Sequence, residues 1–383
     1  MKKSEIVIIG GGVVGASVAY HLTRRGARDV LILERENALG RGSTGAATGG
    51  VRAQFETDIN IKMSLYSLDF FNNWDFDCGY EPRGYLFFAT DEKQFEYVRR
   101  NVEKQKSLGV KEVEIVDTQT ISEIVRGLNC SDICGGSFGA RDGFINPLGV
   151  LEGFTKKAIE NGARVETGTE VFSIETENGK VGAVETNKGR IECEKIVLCS
   201  GAWARALAQT AGIDLPVEPQ KRQIVWAKSA AGFQANLPMV IDLSSGFHFR
   251  PAKDSKNEIL FAYPDRAEKP GFSTDFDENF IEKVYERAKY RAPFLYDTEV
   301  VREKCRAGLY ENTPDHHAVL GGCAVEGLYF ANGFSGHGVM HSPATGRALA
   351  EIILDGEASF LDVSCLRLER FAKGELLHET AFI

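Results

Sequence analysis

The sequence predicts an α/β (α+β) fold in which a central parallel sheet with a β-meander is joined to a second, antiparallel sheet. The chain opens on an apolar run, glycines and a helical pattern, EIVIIGGGVVGA (5–16). A similar arrangement, LYFANGFSGHGVM (328–340), stands near its end. Between them lie aromatic runs typical of antiparallel strands, such as GYLFFAT (84–90) and EILFAYP (258–264).

Length and composition narrow the class of protein. The 383 residues suffice for two or three domains, and 43% hydrophobic with 26% charged residues is typical of globular chains. The net charge of −9 argues against nucleic-acid binding, which usually needs a basic face. No run of about 18 apolar residues occurs, and the first apolar run is too short for a signal peptide, so we expect a cytoplasmic protein without transmembrane segments.

The eight cysteines contain no CxxC pair. The nearest spacing, between Cys130 and Cys134, has no matching histidine cluster. We therefore expect reduced thiols and no metal site.

The first glycine turn has the pattern of a dinucleotide-binding loop. Gly10, Gly12 and Gly15 form GxGxxG between a buried strand and a helix. The pattern allows a tight turn, close approach of a pyrophosphate to the backbone, and close packing of helix on strand. Glu34 ends the next apolar strand, Val30–Leu33, where a carboxylate accepts ribose hydroxyls. The turn therefore predicts NAD or FAD rather than NADP.

The segment after Glu34 is RENALGRGSTGAATGGVR (35–52), rich in glycine, serine and threonine. A simple NAD domain would continue with a crossover helix. A small, flexible loop of this kind can wrap an extended cofactor, and the alternative is a linker.

Several motifs follow one another in a familiar order: GSTGAATGGVR (42–52), IVLCSGAWA (196–204), LYENTPDHHAVLG (309–321) and GFSGHG (333–338). Together with the first turn they resemble the D-amino-acid-oxidase-like FAD-dependent amine oxidoreductases, which include sarcosine oxidase, glycine oxidase and dye-linked L-proline dehydrogenase. The resemblance spans nearly the whole chain. It implies a Rossmann-like FAD-binding domain built from 1–80, 143–215 and 316–383, and a substrate-binding domain built from 81–142 and 216–315.

The resemblance also implies which residues contact FAD. Both ends of the chain would build one site, with the helix after the last turn facing the flavin ring. The expected contacts are Gly10, Gly12, Val13, Val14, Gly15, Glu34, Arg35, Gly42, Ser43, Thr44, Val171, Ser200, Gly201, Trp203, Gly308, Gly333, Phe334, Gly336, His337 and Gly338.

The implied reaction is oxidation of a secondary amine or amino acid of the sarcosine, proline or glycine kind. A hydride passes to flavin N5 and an imine forms. Arg52 matches the arginine that binds the substrate carboxylate, and Tyr310 an active-site tyrosine. Phe249 is expected to line the pocket, with packing in the core as the alternative. His248 and Arg250 are expected on the opposite face of their strand. His316 and His317 are expected to be solvated loop residues.

Three departures from sarcosine oxidase refine this expectation. Gly308 stands where a cysteine holds FAD covalently, so we expect non-covalent FAD. Met340 replaces a lysine that also grips the carboxylate, and Phe261 aligns with the lysine that promotes reaction with oxygen. The resemblance therefore favours a dehydrogenase that passes electrons to an acceptor or partner subunit, as in L-proline dehydrogenases and heteromeric sarcosine oxidases.

Three alternatives stay open. The first is an oxidase that uses oxygen directly, as glycine and D-amino-acid oxidases do. The second is a non-catalytic FAD-binding subunit of a heteromeric dehydrogenase. The third is an NAD-dependent dehydrogenase.

Overall fold

The computed structural model describes residues 2–234, 236–253 and 255–379. Its central sheet has six strands, five of them parallel and one antiparallel at an edge. Apart from Val165 on the edge strand, their β-branched and leucine side chains are almost completely buried, as expected of a parallel sheet covered on both faces. In spatial order the strands are Val319–Gly322, Leu328–Asn332, Lys195–Leu198, Ile6–Ile9, Val30–Leu33 and Arg164–Glu166.

Two helices from opposite ends of the chain pack together beside this sheet. Helix Val13–Arg24 follows the first glycine turn, and helix Gly338–Asp355 follows the last. They approach closely at Gly346, where a Cβ atom would lie 2.2 Å from Ser17 Oγ. That hydroxyl donates to the Ser342 carbonyl at 2.7 Å, so the two turns are held in one region.

The predicted β-meander is confirmed. Strands Val171–Glu177, Lys180–Thr186 and Gly189–Glu192 pair antiparallel, and Lys2–Lys3 pairs with the last of them in parallel. The first hairpin turns at Asn178 and Gly179, whose φ angles of 53° and 78° suit this residue pair.

The second large sheet consists of nine strands. Most pairs are antiparallel, as predicted, but Met239–Asp242 pairs in parallel with Tyr85–Ala89. These two segments lie far apart in the sequence, so no hairpin fixes their direction. In spatial order the strands are Glu299–Val300, Glu218–Lys228, Glu258–Ala262, His248–Pro251, Met239–Asp242, Tyr85–Ala89, Gly135–Gly139 and Val113–Val116, with Arg306–Asn312 pairing beside Glu218–Lys228.

Further elements complete the fold. A short ribbon, Gly50–Val51 with Gly143–Phe144, lies between the two sheets. The remaining α-helices are Ser43–Ala46, Asp58–Asn73, Glu92–Ser107, Thr118–Ile124, Pro147–Glu160, Ala204–Thr210, Asn279–Arg291 and Glu369–Lys373. Short 3₁₀ helices cover Gly201–Trp203, Pro293–Leu295, Arg302–Lys304 and Ser364–Leu366.

The domain boundaries stay a prediction, although each sheet draws its strands from the stretches proposed for one domain. All eight cysteines are free thiols. Within the described ranges, no helix is both long and apolar enough to cross a bilayer, and no cluster of side chains is suited to a metal ion. The cytoplasmic location stays a prediction.

Candidate active site

A cavity of about 520 Å³ lies between the two sheets. The carboxyl ends of the parallel strands open onto it, which is where ligands bind in open α/β sheets. Its wall includes twenty-one of the predicted site residues: Gly10, Gly12, Val13, Val14, Glu34, Arg35, Gly42, Ser43, Thr44, Arg52, Val171, Ser200, Gly201, Trp203, Gly308, Tyr310, Phe334, Gly336, His337, Gly338 and Met340.

The first glycine turn forms a cradle that side chains would fill. Gly10 has a φ of 114°, and a Cβ atom there would lie 2.3 Å from the Cys199 carbonyl oxygen. Gly15 stands behind the wall of the cavity, where a Cβ atom would come within 2.1 Å of the Gly10 carbonyl oxygen. Gly12 faces open space apart from Thr44 Oγ1. The backbone at the helix start is therefore bare enough for a pyrophosphate to approach it.

Glu34, expected at the ribose, and Arg35, an expected FAD contact, lie side by side in the cavity wall. The Glu34 carboxylate accepts hydrogen bonds from the backbone N–H groups of Gly11 at 2.8 Å and Glu36 at 2.9 Å. The Arg35 guanidinium lies 3.6 Å from the centre of the Trp203 ring. These groups fit a dinucleotide whose ribose needs an acceptor and whose base needs a flat surface.

The last glycine turn presses against Tyr310. Gly336 has a φ of 96°, and a Cβ atom there would lie 2.4 Å from the Tyr310 ring. Gly333 has a φ of 74° and packs against Thr313, outside the cavity wall. His337 lies at the start of the following helix, and burial together with the nearby Arg52 charge lowers its pKa well below the usual value. The ring is therefore neutral at physiological pH.

Arg52 places a buried cation in the cavity wall. Its guanidinium lies 3.8 Å from the centre of the Phe55 ring and donates to the Gln54 carbonyl. One of its nitrogens is 3.5 Å from His337 Nε2. Burial lowers the pKa of the guanidinium from its usual value, but an arginine still keeps its charge in such a site.

Asp142 fixes the backbone turn that carries Arg52. Its carboxylate accepts from the Ala53 N–H at 2.8 Å and from Gln54 Nε2 at 2.9 Å. The Ser137 hydroxyl donates to the other side of the Gln54 amide at 2.6 Å. Burial raises the pKa of Asp142 to about 6. Sequence reasoning missed this residue, although its position before the predicted domain boundary was visible.

Two more charged residues of the cavity wall were missed. Arg222 lies with its Cζ 5.2 Å from the Tyr310 ring centre. Glu311, next to Tyr310, faces the other side of the strand, where its carboxylate accepts from the Phe334 N–H at 3.4 Å. Burial raises the pKa of Glu311 to about 7. Arg222 begins the strand-like aromatic run RQIVWAK (222–228), and Glu311 lies in the motif LYENTPDHHAVLG (309–321). A charge inside an aromatic strand was therefore the available signal.

Phe249 does not line the cavity, contrary to expectation. It is 1% exposed and packs in the core of the nine-stranded sheet against Phe247 and Phe294. As predicted, His248 faces the other way, and that face is the cavity side. Strand alternation was right, but the choice of face was not.

Two other expectations are corrected. Phe261 packs in the same aromatic core, and its neighbour Ala262 faces the cavity instead. His317 is buried rather than solvated: its Nδ1 lies 2.7 Å from the Asp315 carbonyl and its Nε2 3.0 Å from Thr57 Oγ1. His316 is partly buried.

Residues 5–352 match the family model described as FAD dependent oxidoreductase (DAO). The chain is 32% identical over 426 residues to FAD-dependent oxidoreductase domain-containing protein 1 of Xenopus laevis, covering 99% of this chain and 84% of that protein. It is 28% identical over 401 residues to mitochondrial dimethylglycine dehydrogenase of Mus musculus, covering 97% of this chain and 44% of that protein.

A solved structure supports the same assignment. L-proline dehydrogenase from P. horikoshii matches with a TM-score of 0.91 at 31% identity, covering 98% of this chain and 100% of that one. The cradle formed by the two glycine turns fits the cofactor of this family. The chain therefore belongs to the DAO family of FAD-dependent oxidoreductases.

Proposed function

We propose that this protein oxidises an amino acid or secondary amine whose carboxylate binds to Arg52. The observation that carries the proposal is the guanidinium of Arg52, fully buried in a cavity whose other side is the FAD cradle. A buried cation of this kind suits a planar carboxylate, which it can bind through two parallel hydrogen bonds. Relatives named dimethylglycine dehydrogenase and L-proline dehydrogenase act on amines that carry a carboxylate, which supports this choice.

The residues of the two glycine turns would hold FAD, with Glu34 at the ribose. FAD, when bound, supplies the acceptor for the hydride that leaves the carbon bearing nitrogen. We propose that the protein holds FAD without a covalent bond. Gly308 has no side chain to form one, and burial raises the pKa of the Cys199 thiol in the cavity wall, which keeps it protonated and unreactive.

The enclosed cavity would prepare the substrate amine. Once the carboxylate is bound to Arg52, the amine lies in the cavity away from bulk water, and desolvation disfavours its charged form. A bound ammonium therefore loses its proton more readily than it does in water. His337 is neutral and adds no further charge, and the apolar wall excludes water around the reacting carbon.

A substrate panel tests this proposal. The FAD-loaded protein is offered sarcosine, proline, glycine, dimethylglycine and D-amino acids, with an artificial dye or oxygen as acceptor. We expect dye reduction without peroxide for at least one of them. We expect Arg52→Gln to lower kcat/KM roughly 100-fold or more, because truncating one partner of a buried charge pair costs about 2–5 kcal/mol.

The matched control is Arg99→Gln, which removes an exposed arginine paired with Glu92 and Glu96. It should leave kcat/KM unchanged. Wild-type kinetics in Arg52→Gln, or no oxidation of any amine with either acceptor, would refute the proposal. Peroxide formation at the rate of dye reduction would replace the dehydrogenase with an oxidase.

A further inference from the structure

Arg222 is a cation of the cavity wall, and the described residues offer it few hydrogen-bond acceptors and no ion pair. It lies on strand Glu218–Lys228, opposite Gly308 on the neighbouring strand. Its Nη1 donates to the carbonyl of Lys221 at 3.2 Å. Its Nε is buried and has no hydrogen-bond partner among the described residues. None of their carboxylates forms an ion pair with it, and the nearby Glu268 pairs with Lys221 instead, at 3.6 Å. A guanidinium has five N–H donors, so most of its capacity is unused.

Two other arginines near the cavity are engaged in holding the protein together. Arg250 donates to the Thr48 carbonyl, and Arg306 donates to the carbonyls of Ala46 at 3.1 Å and Ala47 at 3.3 Å. These two arginines therefore fix three successive carbonyls of the glycine-rich loop. Arg222 does not hold this loop, so a structural role in fixing the loop does not explain why an arginine stands at this position.

Arg222 and Arg52 are both close enough to Tyr310 for their charges to act on its phenol. The Arg222 Cζ lies 5.2 Å from the Tyr310 ring, and the charges of both arginines oppose the effect of burial on the pKa of the phenol. The cavity wall therefore has two cationic positions, one on the turn that carries Arg52 and one on strand Glu218–Lys228, with Tyr310 near both. The anionic part of the dinucleotide belongs at the first glycine turn, on the other side of the cavity, and would not neutralise Arg222.

Glu268 and Asp265 act on the charge of Arg222 from beyond ion-pair distance. A partly desolvated cation with no carboxylate in direct contact is costly and favours the binding of an anion. We propose that Arg222 forms a second anion subsite, and that the substrate is an amino acid or secondary amine with two acidic groups. One carboxylate binds to Arg52 and the other acid group binds to Arg222. This inference rests on the proposed function, because it assigns the second half of the same substrate.

Ligand binding without turnover tests the subsite. The FAD-loaded protein is titrated with propionate and butyrate, and with succinate and glutarate, while the visible spectrum of the flavin is followed. Wild type should bind the dicarboxylates roughly 10- to 100-fold more tightly, the range expected of one added charge-assisted contact. Arg222→Gln should lose this preference and bind the monocarboxylates as wild type does, whereas Arg222→Lys should retain part of it.

Companion variants separate the possible outcomes. Arg52→Gln should weaken binding of both ligand classes, and Arg205→Gln, which alters a half-exposed arginine, should change neither. FAD retention and melting temperature confirm folding of each variant. If Arg222→Gln weakens both classes equally, both arginines grip one carboxylate and the second subsite is refuted. The subsite is also refuted if Arg222→Gln keeps the dicarboxylate preference.

Failure of the anion subsite can be distinguished from failure of the proposed oxidation. If no amine reduces the flavin but the dicarboxylate preference depends on Arg222, the oxidation proposal fails and the anion subsite stands. If amines with one carboxylate are oxidised and wild type shows no dicarboxylate preference, the subsite fails and the oxidation proposal stands.

Discussion

The two sides of the cavity are built in different ways. The side formed by the parallel sheet uses bare backbone: Gly10 and Gly336 adopt positive φ angles, and a Cβ atom at either would collide with a neighbour. The side formed by the nine-stranded sheet and its connecting ribbon uses side chains, above all Arg52, Arg222 and Tyr310. Backbone cradles suit a cofactor shared by many relatives, whereas side chains can differ with the substrate. Damage to the first side should therefore abolish the cofactor, and damage to the second should alter ligand choice.

The largest effect is expected at Gly15. A Cβ atom there would meet the Gly10 carbonyl oxygen at 2.1 Å, in a helix start that cannot move away from its strand. Such overpacking costs about 1–3 kcal/mol or more, so Gly15→Ala should weaken FAD binding roughly 10- to 100-fold or prevent it. Equilibrium titration with FAD, followed by flavin fluorescence, measures the loss.

Gly271→Ala is the matched control, because a Cβ atom at Gly271 meets nothing within 4 Å. It should retain FAD as wild type does. Equal FAD affinity in Gly15→Ala and wild type would contradict the backbone cradle.

A smaller effect, on ligand rather than cofactor, is expected at Asp142. In Asp142→Asn one carboxylate oxygen becomes an N–H₂ group, which must face a donor at either Ala53 or Gln54. The turn carrying Arg52 would then shift, and carboxylate binding should weaken roughly tenfold, about the value of one hydrogen bond to a charged group. FAD affinity should not change. A titration in which FAD and propionate are lost together would show that Asp142 supports the fold generally, and not Arg52 specifically.

The smallest effect is a pH dependence of stability from Glu311. Its pKa in the folded protein is about 7, above the ordinary value of 4.5, because burial disfavours the charged form. The folded protein therefore holds this proton more tightly than the unfolded chain. The resulting stabilisation is complete below pH 4.5 and is lost as the pH rises to about 7.

Glu311→Gln cannot ionise and should lack this loss. Between pH 5 and pH 8 the melting temperature of wild type should fall further than that of Glu311→Gln. The difference between the two falls should be about 2–4 °C for each kcal/mol of stability that ionisation removes. Thermal unfolding at both pH values measures it, with the exposed Glu194→Gln as the control. Parallel pH profiles for wild type and Glu311→Gln would show that Glu311 ionises freely.

The contrast between the backbone side and the side-chain side of the cavity also explains which parts of the site could be predicted from the sequence. The first glycine turn was predictable because its strand, glycines, helix and acid are local in the chain. The location of Arg52 was also predictable, because it ends a recognisable loop. Phe249 was misplaced because its strand is buried on both faces, so alternation separates the faces but does not tell which borders the cavity.

Arg222 and Asp142 depend on long-range geometry. Arg222 reaches the cavity because its strand pairs with Arg306–Asn312, more than 80 positions later, and sequence spacing does not encode that register. Asp142 contacts Ala53 and Gln54 across 89 and 88 positions. His317 looked like a loop residue, and its burial follows from contact with Thr57.

The central claim is that both ends of the chain hold one FAD, and that the cavity presents a carboxylated amine to it. A single-turnover experiment without oxygen tests this most directly: the FAD-loaded protein is mixed with each amine, and flavin bleaching and carbonyl product are measured together. We expect bleaching by at least one carboxylated amine, with one product molecule per flavin, and much slower bleaching in Arg52→Gln. A flavin that no amine bleaches, or one that bleaches equally fast without Arg52, would contradict the claim.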